Sequence, residues 1–292
     1  MPLAAISLVS AAAIAFEVLL VRLYAIVQWH HFAFMIISIA LLGYGASGAF
    51  IALARGWLLA RFVAAWQVNA ALFGLSSLLS FAVVQRIPFN ALAVVWEPAQ
   101  LLAVAATYLI LMVPFFFAAN CVGLAFAAFG EAASRVYRFD LVGAGIGAAA
   151  VIGALFVVDA EDGLRLVLVL GFAAAALAGL GTGRRWRALG IAIAGLILAG
   201  AAPANWIAPQ ISQYKGLSMV LRVPGAEVIA SRSSPLGQLT VVESTIVPFR
   251  HAPGLSLRAT AELPEQLGLF VDGQGPAAIA RYDGVPESVA YL

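Results

Sequence analysis

The feature that most constrains this chain is a series of long, nearly uncharged apolar segments in its first 203 residues, which hold ten Arg, no Lys and seven acidic residues. The whole chain is 63% hydrophobic, and its mean hydropathy is +1.01. A soluble domain carries about 25% charged residues, whereas this chain carries 10%. So few charges cannot cover a water-exposed surface, so most of the surface must face lipid. The sequence therefore predicts an integral membrane protein whose partner is the lipid bilayer.

Apolar segments of membrane-spanning length recur along residues 1–203. About 20 residues cross the hydrocarbon core, and longer segments tilt. The predicted fold is an α-helical bundle of about seven transmembrane helices, at residues 3–27, 32–54, 58–84, 101–128, 140–158, 163–181 and 188–203. No basic stretch precedes the first segment, which contains Glu17 and Arg22, so we expect a retained helix rather than a cleaved leader.

The arginines between the predicted helices alternate in number from one connection to the next. One set of connections holds Arg55, Arg61, Arg135, Arg138, Arg184, Arg185 and Arg187, and the alternate set holds only Arg86 and Arg165. The positive-inside rule then predicts a multi-pass protein of the inner membrane with a cytoplasmic N-terminus. Seven helices would leave the C-terminal region on the outer side.

Residues 204–292 differ in composition, with five Arg, the only Lys and seven acids. Short β-branched or alternating stretches occur at 226–231, 237–243, 255–259, 267–272 and 277–282. Turn signals rich in Pro, Gly and Ser separate them. This pattern predicts a linker and a small antiparallel β domain. The linker, residues 207–222, is predicted to be an amphipathic helix on the membrane surface beside Trp206.

Glu17 is the first candidate functional residue. It lies about 20 Å into its helix, where an ionised carboxylate costs a few kcal/mol unless it is paired, protonated or facing water. Arg22, five positions on, is poorly aligned for a direct pair and is expected to reach the outer interface. Asn69 and Gln67 lie at similar depth and are better candidate partners. Two interpretations stay open, a proton or cation site and an interhelical hydrogen bond that fixes packing.

A polar group on the fourth helix joins this candidate site. Pro114 predicts a kink there, and Asn120 follows it as an inward polar group. The glycine-rich segment 43–48 of the second helix allows close helix contact. Judged by depth alone, Glu17, Asn69, Asn120 and this glycine-rich face can line one cavity.

Residues 143–148 formally match a dinucleotide-binding GxGxxA pattern, which requires a preceding buried strand. Charged residues precede the pattern here and a membrane span follows, so we favour helix packing through Gly143 and Gly147. Asp140 is predicted at the inner mouth of the fifth helix, where an acid is favourable at a helix N-terminus. Arg135 and Arg138 are its expected neighbours.

The residue types that bind metals are sparse. His30 and His31 are adjacent and point about 100° apart on a helix, which makes a poor metal pair, and His251 stands alone. The single cysteine, Cys121, lies in an apolar segment and is interpreted as a packing residue. We expect no metal and no cofactor, and the net charge of +2 does not suggest a nucleic-acid partner.

Several phrases resemble a known family. FEVLLVR in the first helix, the glycine-rich second helix and YRFDLVGAGIGA resemble the membrane region of spermidine synthase-like proteins of the fused transporter/spermidine synthase type. SSPLGQLTVVES and LGLFVDGQGPAAI resemble the small N-terminal β domain of spermidine synthases. The residues that match its turn and hairpin positions are Ser234, Gly237, Asp272 and Gly273.

The resemblance implies a transferase family that moves aminopropyl groups. Its enzymes continue into a Rossmann-type domain with a glycine-rich nucleotide loop and catalytic acids, and no such loop follows in residues 1–292. The resemblance therefore implies a module that is non-catalytic as it stands, with no catalytic residue to carry over. At most, Asp272 and Gly273 belong to a hairpin that would cover an active site. The implied partners are a separate catalytic chain or a polyamine.

Three functions remain open from the sequence. The first is the membrane module of a spermidine synthase-like protein. The second is a transporter of a small cationic or proton-coupled substrate that uses Glu17. The third is a membrane-anchored interaction scaffold. The first explains both halves of the chain, although the family's aminopropyl donor is cytosolic and the arginine pattern places the β domain outside.

Overall fold

The computed structural model describes residues 2–29, 32–90, 93–180, 183, 185–253, 255, 263–282 and 284. The chain forms two compact units. The helical unit comprises Met1–Leu23 and His31–Pro209, and the β unit comprises Tyr24–His30 and Gln210–Leu292. The end of the first helix therefore belongs to the β unit.

The helical part of the chain consists of long helices joined by short connections. In the described residues the helices are α1 (Leu3–Val27), α2 (Ala33–Ala60), α3 (Phe62–Val84), α4 (Pro98–Ala128), α5 (Ala133–Ala154), α6 (Ala160–Leu180), α7 (Arg185–Ala201), α8 (Ala204–Ile207) and α9 (Gly216–Val220). Within that part of the chain, α1 to α6 are long and apolar enough to cross a membrane. The seventh helix has 17 residues, fewer than the about 20 that usually cross the hydrocarbon core. The length and composition of these six helices make the chain a multi-pass membrane protein. The predicted number of about seven spans is not confirmed.

Helices α2 and α5 extend furthest beyond the predicted apolar segments. Helix α2 continues to Ala60, so Arg55 lies inside the helix rather than in a connection. Helix α5 begins at Ala133 and includes Arg135, Arg138 and Asp140. The predicted ends were wrong because an apolar segment stops at its first charge, whereas arginine is a good helix former whose long side chain reaches the interface.

Helix α1 lies in the core of the helical unit. The Phe16 ring lies 6.4 Å from the ring of Phe73 on α3 and 5.2 Å from that of Phe115 on α4, measured between centroids. All three side chains are buried. Aromatic contacts of this geometry add to apolar burial, so one α1 side chain joins three helices.

Small residues set the closest helix contacts. If Gly143 carried a Cβ atom, that atom would lie 2.6 Å from the Cα of Ser7, and a Cβ added at Gly147 would lie 2.5 Å from the Cα of Ala11. Both distances are too short for any side chain, so only glycine fits at these positions. The predicted packing through Gly143 and Gly147 is confirmed, and its partner is α1.

The end of α7 lies beside the end of α3. The Gln85 amide nitrogen lies 3.4 Å from the Trp206 carbonyl oxygen, to which it donates a hydrogen bond. The Arg86 guanidinium carbon lies 5.7 Å from the centroid of the Trp206 ring. Since Trp206 belongs to α8, which begins three residues after the end of α7, α7 finishes at the end of the helical unit where α3 finishes.

The β unit contains a four-stranded antiparallel sheet with strand order β1-β2-β3-β4. The strands are β1 (Ala226–Ser233), β2 (Gln238–Ser244), β3 (Gln266–Val271) and β4 (Gln274–Ala280). Its small core consists of Leu217, Val242 and Phe270. Four of the predicted strands are confirmed within a few residues, and the fifth, at 255–259, lies outside the described residues apart from Leu255.

The turn between β3 and β4 has two residues, Asp272 and Gly273, with φ of 51° and 71°. Positive φ at both central positions defines the type I′ turn that matches the twist of a hairpin. Aspartate followed by glycine tolerates this conformation. The predicted Asp-Gly turn is confirmed, and the tight turn makes β4 begin earlier than predicted.

The predicted amphipathic helix at 207–222 is wrong. Ala208 has ψ of 124°, because a residue that precedes proline is driven out of the helical region and Pro209 follows. The chain instead forms the short helices α8 and α9, on either side of an irregular stretch.

Candidate functional sites

Three helices of the helical unit are joined by a chain of buried polar side chains. Ser47 Oγ on α2 donates to Asn120 Oδ1 on α4 at 2.7 Å. Asn120 Nδ2 donates to Asn69 Oδ1 on α3 at 2.9 Å. Asn69 Nδ2 donates to the Ala65 carbonyl at 2.8 Å. The structure thus brings together the predicted Asn69 and Asn120, and it adds Ser47, which the sequence pattern had marked only as part of a close-packing segment.

A second contact between α3 and α4 lies next to this chain. Trp66 Nε1 donates to the Cys121 carbonyl at 2.9 Å, and Cys121 Sγ lies 3.7 Å from the Trp66 carbonyl oxygen. Both residues are buried. This environment agrees with the interpretation of Cys121 as a packing residue.

The two asparagines also line a cleft of about 330 Å³ between α2, α3 and α4. Arg61 and Trp57 lie in the same wall, with the guanidinium carbon 5.5 Å from the centroid of the indole ring. An amide NH₂ has two donors, so each asparagine that donates one bond retains a second N–H. The surface of the cleft is almost entirely apolar, and both asparagines are buried behind it.

Glu17 is not among the residues that line this cleft. Its side chain is half-buried, and no described residue forms a hydrogen bond or ion pair with it. The predicted partners are engaged elsewhere, since Asn69 bonds Asn120 and Gln67 Nε2 donates to the Ala175 carbonyl at 3.0 Å. The predicted pairing of Glu17 with Asn69 or Gln67 is therefore wrong.

Arg22 also differs from the prediction. Its side chain is only 7% exposed, so it does not reach out to the interface. The face of α1 that carries Arg22 is turned toward the protein interior. The prediction used only the position of Arg22 along the helix, which does not give the direction in which its side chain points.

Asp140 joins α5 to α1. Ser10 Oγ donates to Asp140 Oδ1 at 2.5 Å, and Ser7 Oγ donates to the Phe139 carbonyl at 2.7 Å. Arg138, one of its expected neighbours, forms no ion pair with Asp140 in the described residues, and its guanidinium carbon lies 5.6 Å from the centroid of the Phe139 ring. Asp140 is thus a packing residue whose partner is a serine hydroxyl.

In the β unit, the four residues that carry the family resemblance meet at one corner. Ser234 Oγ donates to the Gly237 carbonyl at 3.0 Å and accepts from the Gly237 N–H at 3.3 Å, which closes the turn between β1 and β2. The next N–H, from Gln238, donates to Asp272 Oδ1 at 2.8 Å. We call this set, Ser234, Gly237, Asp272 and Gly273, the hairpin corner.

Lys215 is the residue that the sequence interpretation missed. It is 1% exposed. Its Nζ donates to the carbonyls of Ala25 at 2.6 Å, Ile26 at 2.8 Å and Asp272 at 2.5 Å. The last carbonyls of a helix lack intrahelical donors and favour a nearby cation. Lys215 therefore caps α1 and holds the hairpin corner at the same time. Its sequence signal is that it is the only lysine in the chain.

The described residues contain no group of three or more His, Cys, Asp or Glu that could hold a metal ion. His30 and His31 lie outside the described residues, and the His251 N–H donates to Gln266 Oε1 at 2.7 Å.

No protein-family model, curated protein or solved structure matches this chain.

Proposed function

We propose that this chain is the membrane module of a spermidine synthase-like protein. In this role the helices anchor the β unit at the bilayer, and the β unit serves a separate catalytic domain or chain. Aminopropyl transfer itself is not assigned to residues 1–292. The polyamine enters the proposal as the substrate of the catalytic partner.

The observation that supports this proposal most is the hairpin corner. Ser234, Gly237, Asp272 and Gly273 carry the resemblance from separate parts of the sequence, and they lie together on one corner of an antiparallel sheet. Asp272 accepts a backbone hydrogen bond there and its own N–H donates to the Gln238 carbonyl at 2.8 Å. A carboxylate used in this way shapes a turn, which supports a presenting role rather than an acid–base role.

We further propose that α7 is a seventh span, with the N-terminus in the cytoplasm of an inner-membrane protein. Its 17 residues cover about 26 Å, which suits a thin or locally thinned bilayer. The contacts of Trp206 with Gln85 and Arg86 support a crossing. The catalytic partner would then meet the β unit on the outer side.

The test uses the full chain in native membranes with a photoreactive amino acid in place of Leu236, which is 94% exposed between β1 and β2. We expect crosslinks to a protein with aminopropyltransferase chemistry, identified by mass spectrometry, and no transfer from a labelled aminopropyl donor to putrescine by the purified chain. Turnover by the purified chain would refute the non-catalytic role. Crosslinks only between copies of the chain would refute the presenting role.

Transport is the second candidate function, and Glu17 is the observation that favours it. A half-buried carboxylate in a membrane helix without a described partner is costly, and such groups mark ion or substrate paths. We expect Glu17→Gln to abolish uptake of a radiolabelled polyamine into vesicles, and Glu97→Gln, outside the spanning segments, to leave uptake unchanged. Equal uptake by both variants, or none by the wild type, would exclude this function.

A further inference from the structure

A second cleft, of about 680 Å³, opens between α3, α6 and α7. Helix α7 rests on α6 near its C-terminal end, where a Cβ at Gly195 would lie 2.5 Å from the Cβ of Phe172. Toward its N-terminal end the space around Gly190 is open, with no atom within 4 Å of a Cβ built there. The cleft thus lies over α6, between α3 and the first turns of α7.

The walls of the cleft combine a mainly apolar lining with one polar side chain, that of Gln67, and one cation. Val68, Ile191 and Ala194 belong to the apolar part, and Arg187 stands in the first turn of α7. No acidic side chain is among the described lining residues. From Arg187 to Ala194 the helix rises about 10 Å, so the cleft begins at a positive charge and continues into apolar surface.

Arg187 is available to a ligand. Its side chain is exposed, and none of the described residues accepts a hydrogen bond from it or forms an ion pair with it. The neighbouring Trp186 is 84% exposed. Exposed tryptophan beside arginine is typical of the level of lipid headgroups.

We propose that this cleft binds one anionic phospholipid, with the phosphate at Arg187 and the start of an acyl chain against the apolar walls. Charge complementarity and position select this occupant. Basic pockets between transmembrane helices bind anionic headgroups, and the volume falls in the range of pockets for small ligands.

The test is native mass spectrometry of the full chain in detergent, titrated with dioleoylphosphatidylglycerol or dioleoylphosphatidylcholine. We expect one tightly bound phosphatidylglycerol per chain, and about five-fold weaker binding for Arg187→Gln, which is the contribution of one cation near a headgroup. Arg138→Gln, which removes an exposed cation on α5, should bind as the wild type does. No preference for phosphatidylglycerol, or equal losses in the two arginine variants, would overturn the proposal.

A second variant tests the acyl part of the site without removing charge. Gly190→Leu places a side chain in the cleft and should weaken binding of both phospholipids. Gly200→Leu, on the same helix and also with open space at its Cβ, should not. Full binding of phospholipid by Gly190→Leu would overturn the proposal. Displacement of the bound lipid by glycerol 3-phosphate would also overturn it, because it would indicate a site for a soluble phosphate compound.

Discussion

At the scale of single residues, buried polar groups connect elements that are far apart in the chain. Lys215 contacts carbonyls that lie 190 and 57 positions away. Ser47, Asn120 and Asn69 connect three helices in the same way. Inside a protein a donor that loses its acceptor costs more than the net value of the hydrogen bond, so such groups dominate the response to substitution.

Replacing Lys215 with methionine should destabilise the β unit by about 1–3 kcal/mol, because three buried or partly buried carbonyls lose their donor. The measurement is the free energy of unfolding from denaturant titration, followed by circular dichroism in detergent. Arg222→Met, which removes an exposed cation from the same unit, is the control and should change little. Equal stability of the two variants would show that Lys215 does not hold the hairpin corner.

The asparagine chain should behave as one cooperative group. In a double-mutant cycle, Ser47→Ala and Asn120→Ala should be coupled by about 0.6 kcal/mol and at most about 1.7 kcal/mol, the range measured for hydrogen bonds between membrane helices. Thermal unfolding in detergent provides the four values. Additive losses would mean that the bond between Ser47 and Asn120 contributes nothing net.

At the scale of elements, close approach of small residues sets the contact between α1 and α5. Gly143 and Gly147 face Ser7 and Ala11, and Gly145 on the same helix faces open space. In lipid, such packing replaces the hydrophobic effect as the main attraction between helices. One face of α5 is therefore intolerant of larger side chains, and another is tolerant.

Gly147→Leu should lower the stability of the helical unit by about 1–3 kcal/mol, because the added side chain overlaps the α1 backbone. Gly145→Leu should leave the melting temperature nearly unchanged. Both are measured by thermal unfolding of purified protein in the same detergent. Similar melting temperatures for the two variants would contradict the contact between α1 and α5.

Sequence reasoning succeeded where the signal is local. The Asp272–Gly273 turn and the apolar helices follow from backbone preference and hydropathy over short windows. It failed at 207–222, where the apolar pattern outweighed the effect of Pro209 on its neighbour. It also failed for the orientation of Arg22 and for Lys215, since both depend on contacts between residues distant in sequence.

At the scale of the whole molecule, the proposed topology concerns the residues that follow α7. Within the β unit, Lys215 is bonded to the C-terminal carbonyls of α1. Within the helical unit, Trp206 lies at the end where α3 finishes. In each unit, residues that follow α7 thus lie beside the C-terminal end of another helix, α1 in the β unit and α3 in the helical unit. The proposed topology requires α7 to cross the bilayer.

Cysteine labelling in intact cells tests this central claim directly. The native Cys121 is buried, so the wild type serves as the unlabelled control for Leu236→Cys and Trp186→Cys. With a membrane-impermeant maleimide, we predict labelling of Leu236→Cys in intact cells and of Trp186→Cys only after the membrane is opened. Labelling of both positions from the same side would contradict a seventh crossing and the placement of the β unit.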